Sequence, residues 1–162
     1  MNARRLTRDA LLTAVALILF TVEAQMPAPV PIPGVKLGLA NVVNLWAVCT
    51  LGPCDALCIL LCRIILGAFF VGHLMVLFYS LAGGLLSLCA LLLLRRVTTP
   101  RQLWICGVCA AVAHNAGQLA VAVWVTRSLA VLAYFPLLTV SGMITGFFTG
   151  LCAQYLLSRR LW

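Results

Sequence analysis

The sequence predicts an all-α, polytopic membrane protein: six transmembrane helices that form one transmembrane domain over residues 1–162. Hydrophobic residues make up 64% of the chain and charged residues only 9%, and the mean hydropathy is +1.14. Soluble domains carry about 25% charged residues, so this chain cannot cover itself with a water-compatible surface. We therefore expect the lipid bilayer to be its immediate partner.

Six apolar stretches have about the 20 residues that a membrane-spanning helix needs. They cover residues 9–25, 35–51, 54–72, 73–94, 102–125 and 134–157. A proline-rich loop at 27–34 separates the first two stretches, and Gly52-Pro53 separates the second from the third, because proline cannot continue a helix. The first stretch, with its arginines and the Val22-Glu23-Ala24 sequence, also resembles a signal peptide. We interpret it as a retained span, because it leads into the proline-rich turn and not into a soluble domain.

The distribution of basic residues predicts the orientation of the spans. Six spans place both termini on one side of the membrane, and three arginine clusters then fall on that side. These clusters contain Arg4, Arg5, Arg8, Arg95, Arg96, Arg101, Arg159 and Arg160. The positive-inside rule assigns the clusters and both termini to the cytoplasm, with the proline-rich loop outside the cell membrane. The net charge of +8 is thereby interpreted as a topology signal, not as a nucleic-acid-binding surface, and the short loops leave no room for a soluble catalytic domain.

Small residues at helical spacing predict close helix contacts. Gly142, Gly146 and Gly150 recur every four residues in the sixth stretch, a spacing that lets helix backbones approach. Most of the eight cysteines lie within apolar stretches, and we expect them to act as small hydrophobes at helix contacts, as in the four-residue series Cys54, Cys58 and Cys62. A metal or redox site at the Cys-x-x-Cys of residues 106–109 is the less favoured alternative, because no second pair completes it.

The most polar feature of the membrane stretches is the group His114, Asn115 and Gln118. On a helix the first and last are one turn apart, and Asn115 lies beside Gln118 at the three-residue spacing. Polar side chains in hydrocarbon are costly and mark candidate functional sites. Two interpretations stay open, the wall of a ligand pocket and a set of interhelical hydrogen bonds. A metal site is disfavoured, because His73 is the only other histidine.

Arg63 is the second such feature, because a lone cation within a span costs at least about 2.5–3.5 kcal/mol. Glu23 is the candidate partner for a pair that locks the bundle; alternatively, Arg63 holds an anionic ligand in fork geometry. Lys36, Asn41 and Asn44 follow the proline-rich loop, and the two asparagines share a helix face. We therefore predict one ligand pocket that opens to the outside. Its predicted lining is Glu23, Lys36, Asn41, Asn44, Arg63, His114, Asn115 and Gln118.

Five segments carry a resemblance to a known family over nearly the whole chain. They are P33-G-V-K-L-G-L-A-N41, L61-C-R-I-I-L-G67, Y79-S-L-A-G-G-L-L-S87, A113-H-N-A-G-Q118 and G142-M-I-T-G-F-F-T-G150. The chain resembles the Gx transporter family, also labelled heptaprenyl diphosphate synthase component I, which is similar to the S components of energy-coupling factor importers. The resemblance implies a six-helix bundle that captures a vitamin-like solute and docks on a transmembrane coupling subunit driven by ATPases. Ala10 and Ala14 are similar to the small-residue docking motif of those proteins, or else pack internally.

The synthase label does not fit the acidic residues of the chain. Prenyl diphosphate synthases hold Mg²⁺ through clustered aspartates, and here only Asp9 and Asp55 are present, far apart in sequence. We therefore expect no enzyme activity and no cofactor, and any ATP use must come from another chain, because no Walker A motif is present. Two alternatives stay open. One is an accessory membrane subunit of prenyl diphosphate or quinone synthesis, and the other is a non-transporting scaffold of a membrane redox assembly.

Overall fold

A computed structural model describes residues 3–25, 38–71 and 74–160, and this part of the chain is helical with no strand. Short 3₁₀ turns precede the fifth and sixth helices, at Pro100–Gln102 and Leu129–Tyr134. The six helices are α1 (Ala3–Gln25), α2 (Ala40–Thr50), α3 (Pro53–Val71), α4 (Leu74–Leu94), α5 (Leu103–Thr126) and α6 (Phe135–Arg160). The all-α, six-helix prediction is confirmed. The proline-rich loop and Lys36 lie outside the described residues.

Four of these helices, α3 to α6, are long and apolar enough to cross a bilayer. Helix α2 is apolar but has only 11 residues, a length of about 16 Å, or about half of the hydrocarbon core. Helix α1 has 23 residues and carries Arg8, Asp9 and Glu23 around its apolar run. These lengths and compositions make the chain a membrane protein. The membrane that holds it and the side that each end faces stay predictions.

Glycines set the contacts of α5 with α4 and α6. A Cβ atom on Gly146 would lie 2.6 Å from the carbonyl oxygen of Gly107, and one on Gly117 would lie 2.7 Å from that of Ala82. Real Cβ atoms do not approach a backbone so closely, so these helices touch through backbone atoms. The predicted role of the α6 glycines in packing is confirmed. Two glycines of α5 were not recognised in the sequence, because they stand alone and not in a repeat: Gly107, which meets α6, and Gly117, which meets α4.

All six helices contribute to one apolar core. It includes Ala16, Val48, Ile59, Leu60 and Leu91, each at most 2% exposed. Interlocked side chains of this kind stabilise the bundle through dispersion contacts, since lipid tails are as apolar as leucine and leave little hydrophobic driving force between helices. The core lies between the ends of α1: an ionic network lies at the start of this helix, and two polar cavities lie at its end.

An ionic network joins α1 to α3 at the end of the bundle where α1 begins. Asp55 accepts hydrogen bonds from Arg5 (Nη2–Oδ1, 2.7 Å) and Arg8 (Nη2–Oδ2, 2.8 Å), and Arg8 also reaches Asp9 (3.1 Å). The hydrogen bond and the charge of Asp55 raise the pKa of Arg5. Two arginines of the first cluster, assigned above to topology alone, therefore also fasten two helices together.

The expectation that Cys54, Cys58 and Cys62 lie at helix contacts is wrong. All three are exposed, whereas Ile59, Leu60 and Arg63 of the same helix are buried. The four-residue spacing does place the cysteines on one face of α3, but this face points out of the bundle. Cys106, by contrast, is buried and its sulfur lies 3.1 Å from the Thr98 hydroxyl.

Gly146→Ala should destabilise the protein, because its new methyl group would meet the Gly107 carbonyl oxygen 2.6 Å away. Overpacking of this kind costs about 1–3 kcal/mol, and we expect a lower midpoint of thermal unfolding in detergent micelles. Met143→Ala is the control, because Met143 lies on the same helix and is 47% exposed. Equal midpoints for the two variants would show that the α5–α6 contact is loose.

Candidate functional site

Two small polar cavities lie at the end of the bundle where α1 ends and α2 begins. Gly38, Asn41, His114 and Gln118 line both. The first cavity is also lined by Phe20, Glu23, Ala40, Arg63 and Ser80, and the second by Ala111, Asn115, Thr145 and Thr149. Each has a volume of about 20 Å³. A water molecule needs about 10–15 Å³ on this measure, so each cavity has room for one water.

Glu23 joins the end of α1 to the start of α2. Its carboxylate accepts the backbone N–H of Gly38 through one oxygen and that of Leu39, at 3.1 Å, through the other. Leu39 is the N-cap of α2 and makes no side-chain capping bond of its own. Glu23 thus satisfies backbone donors and places negative charge at the positive end of the α2 dipole. Gly38 has a φ of +74°, a left-handed conformation that glycine adopts without steric cost.

Arg63 lies in the first cavity, and its donors are not used by the part of the chain that the structure describes. The residue is 6% exposed, and its guanidinium carbon lies 5.7 Å from the centroid of the Phe20 ring. It interacts electrostatically with Glu23, but no N–O distance within 4.0 Å joins the two side chains. A guanidinium has five N–H donors, and burying a charge without hydrogen bonds is costly. The site therefore presents a cation that has no hydrogen-bond acceptor among the described residues.

The polar group of α5 divides between two roles. Asn115 donates from Nδ2 to the Leu138 carbonyl oxygen at 2.7 Å, and so ties α5 to α6. Gly142 of α6 makes room for that amide, because a Cβ there would lie 2.6 Å from Nδ2. His114 and Gln118 line both cavities. Asn115 thus makes the predicted kind of helix contact, and its neighbours line the cavities. A ligand pocket at this wall stays a prediction.

The structure brings together Glu23, Asn41, Arg63, His114 and Gln118 from the predicted set, and Asn115 joins them at the second cavity. Asn44 is 5% exposed but lines neither cavity, and its Oδ1 has no hydrogen-bond partner among the described residues. The shared helix face predicted for Asn41 and Asn44 does not bring both to the site, because Asn41 lies in the first turn of α2 and Asn44 one turn deeper. Lys36 lies outside the described residues.

Sequence reasoning missed part of the lining. These residues are Phe20, Gly38, Ala40, Ser80, Ala111, Thr145 and Thr149. A signal existed for Gly38, since it lies within the Lys-Leu-Gly-Leu-Ala-Asn segment used for the family resemblance. The two threonines bond the carbonyl oxygens of Gly142 and Gly146, a common use of hydroxyls in membrane helices that makes them inconspicuous in a sequence.

The arrangement is suited to recognising charge and hydrogen-bonding groups. Across 3–25, 38–71 and 74–160, no group of three or more His, Cys, Asp or Glu is placed to hold a metal ion. The first cavity instead combines the guanidinium of Arg63 with the amides of Asn41 and Gln118 and the hydroxyl of Ser80. These groups fit a small anion or an amide-bearing molecule.

Of three comparisons with known proteins, one gives a match. The chain matches no curated protein and no solved structure. A protein-family model described as heptaprenyl diphosphate synthase component I matches residues 12–156, which include every described residue of the two cavities. A match over so much of the chain shows the family. This helical membrane protein belongs to the heptaprenyl diphosphate synthase component I family.

Proposed function

We propose that this protein captures a small anionic solute from the outer face of the cell membrane, in the manner of an S component, for import driven by partner ATPases. The observation that carries the proposal is Arg63, a buried cation that lines a polar cavity and has no hydrogen-bond acceptor among the described residues. Such a charge is costly in a membrane unless it serves a ligand or a partner group. A carboxylate or phosphate is the acceptor that a guanidinium fits best.

The surroundings of Arg63 support an anionic ligand over a neutral one. The first cavity has one acid, Glu23, whose carboxylate already accepts two backbone N–H groups. Asn41, Ser80 and Gln118 line the same cavity, and each can donate a hydrogen bond as well as accept one. An incoming anion would supply the acceptor that Arg63 lacks among the described residues.

Capture requires movement at the start of α2. The cavities of about 20 Å³ hold one water each, whereas ligand pockets commonly measure about 300–1,000 Å³. Helix α2 is short, and Glu23 fastens the two residues that precede it, Gly38 and Leu39, to α1. We infer that a solute enters when the first turn of α2 moves away from α1 and the two cavities join.

The partners follow from the same proposal. Ala10 and Ala14 are both exposed on α1, where a transmembrane coupling subunit can pack closely against small side chains. Energy would come from ATPase subunits bound to that coupling subunit. In this proposal the chain is not an enzyme, and its contribution is to bind and present the solute.

A second candidate, favoured by the family description, is an accessory membrane subunit of prenyl diphosphate or quinone synthesis. A scaffold of a membrane redox assembly is the third. Purification of the tagged chain from its own membrane in mild detergent separates them. Import predicts a co-purifying ATPase complex, the accessory role a soluble prenyl synthase, and the scaffold a flavoprotein; either of the last two results alone would refute import.

Arg63→Gln should weaken solute binding about 10- to 100-fold, because a hydrogen bond to a charged group contributes about 1.5–3 kcal/mol. The measurement is isothermal titration calorimetry on the purified chain with solutes identified from a metabolite library. Arg96→Gln is the matched control, because Arg96 is exposed and lies outside both cavities. A variant that binds normally and is only less heat-stable would make Arg63 a structural residue.

Gln118→Leu should mainly weaken ligand binding, whereas Asn115→Leu should mainly lower stability. Gln118 lines both cavities, so we expect its loss to weaken binding about three- to tenfold with little change in stability. Asn115 donates to the Leu138 carbonyl oxygen, so its loss should mainly lower the unfolding midpoint. Binding isotherms and thermal unfolding of both variants check this, and a reversed pattern would exchange the two roles.

A further inference from the structure

We propose that the backbone N–H groups of Gly38 and Leu39, together with Arg63, form a carboxylate-binding cradle that Glu23 occupies as a built-in substitute for the solute. The incoming solute would then carry a carboxylate, and it would displace the Glu23 side chain when it binds. This inference rests on the proposed function, because it names the chemical class of the captured solute.

The first observation is the geometry of the Glu23 carboxylate. Two consecutive backbone N–H groups point to its two oxygens, Gly38 to Oε1 and Leu39 to Oε2. Adjacent N–H groups of this kind form an anion-binding concavity, and the N-terminal dipole of α2 adds to its positive potential. The left-handed φ of +74° at Gly38 is part of this turn.

The second, independent observation is Arg63. It lines the same cavity as Glu23 and Gly38, is 6% exposed, and donates no hydrogen bond to a described residue. Its side chain stays beyond 4.0 Å from the Glu23 carboxylate oxygens. Glu23 thus satisfies the backbone half of the cradle, and the guanidinium half has no hydrogen-bond acceptor among the described residues. A free carboxylate, which is not tethered to α1, can approach both halves.

Displacement has a mechanical consequence. The bonds from Gly38 and Leu39 to Glu23 join the start of α2 to the end of α1. When a solute carboxylate takes these bonds over, the hydrogen-bonded link between the end of α1 and the start of α2 is broken, and the first turn of α2 loses one of its restraints. Binding of the correct charged group is thereby coupled to the opening that the small cavities require. A neutral carbonyl group accepts weaker hydrogen bonds than a carboxylate and does not pair with the charge of Arg63, so a neutral solute should displace Glu23 far less readily.

Chemical rescue tests the cradle without knowledge of the solute. In Glu23→Ala the backbone N–H groups lose their carboxylate, and the unfolding midpoint of the full chain in detergent should fall. Sodium formate should then raise the midpoint by about 2–4 °C, with saturation, because formate supplies the missing carboxylate. Formamide, a neutral molecule of similar size, and sodium chloride at equal ionic strength should not. Formate should leave the wild-type midpoint unchanged at the same concentrations.

The contribution of Arg63 is tested in Glu23→Ala/Arg63→Gln, where formate should no longer restore stability. The Glu23→Ala/Arg96→Gln variant is the matched control and should keep the rescue. The cradle is overturned if formate does no more than formamide or chloride, or if rescue persists without Arg63. If Glu23→Ala does not purify in folded form, Glu23→Gln replaces it. Formate should then stabilise this variant at lower concentration than wild type, and equal concentration dependence would contradict the proposal.

The outcomes separate this inference from the proposed function. Formate rescue in a protein that binds no metabolite would leave the cradle in place and refute solute capture. Metabolite binding without rescue would support capture and refute the cradle.

Discussion

A buried carboxylate and a buried guanidinium set the arrangement of α1, α2 and α3. Glu23 and Arg63 are 7% and 6% exposed in a chain with very few charges, and neither can be moved into hydrocarbon without a large cost. Glu23 meets this cost by accepting backbone N–H groups at the start of α2. Among the described residues, the guanidinium of Arg63 interacts only with the ring of Phe20 and, electrostatically, with Glu23. The polar cavity forms because both charges must face the interior of the bundle, and the other polar side chains gather around them.

Different kinds of contact hold together helices α4 to α6 and helices α1 to α3. Helices α4, α5 and α6 touch through glycine backbones, contacts that allow little sliding because any shift meets a carbonyl oxygen. Helices α1 and α3 are joined by ion pairs at one end, through Asp55. At the other end of α1, the Glu23 carboxylate accepts backbone N–H groups at the start of α2. The glycine-packed helices carry His114 and Gln118 of the cavity wall. Helix α2 is short but packs against the other five helices, so the movement proposed above concerns only its first turn.

Much of the fold was predictable, because apolar runs and proline breaks determine where membrane helices start and end. The predicted second stretch began too early for the helix at Ala40–Thr50, since hydropathy does not register the turn at Gly38. Periodicity identified the cysteine face of α3 but not its direction, which depends on the neighbouring helices. The pairing of Asp55 with Arg5 and Arg8 was missed, because contacts between residues about 50 positions apart leave no local pattern.

The candidate site was partly predictable, because polar side chains in apolar runs are conspicuous. Arg63, His114 and Gln118 were found in this way. The N–H donors of Gly38 and Leu39 belong to the backbone, so the identity of a residue does not reveal them.

Native mass spectrometry of the wild-type chain, released gently from its own membrane, tests the central claim most directly. The account predicts a retained small molecule that carries a carboxylate or another anionic group. A chain that retains only phospholipid, and then binds no anion from a metabolite library, would contradict it.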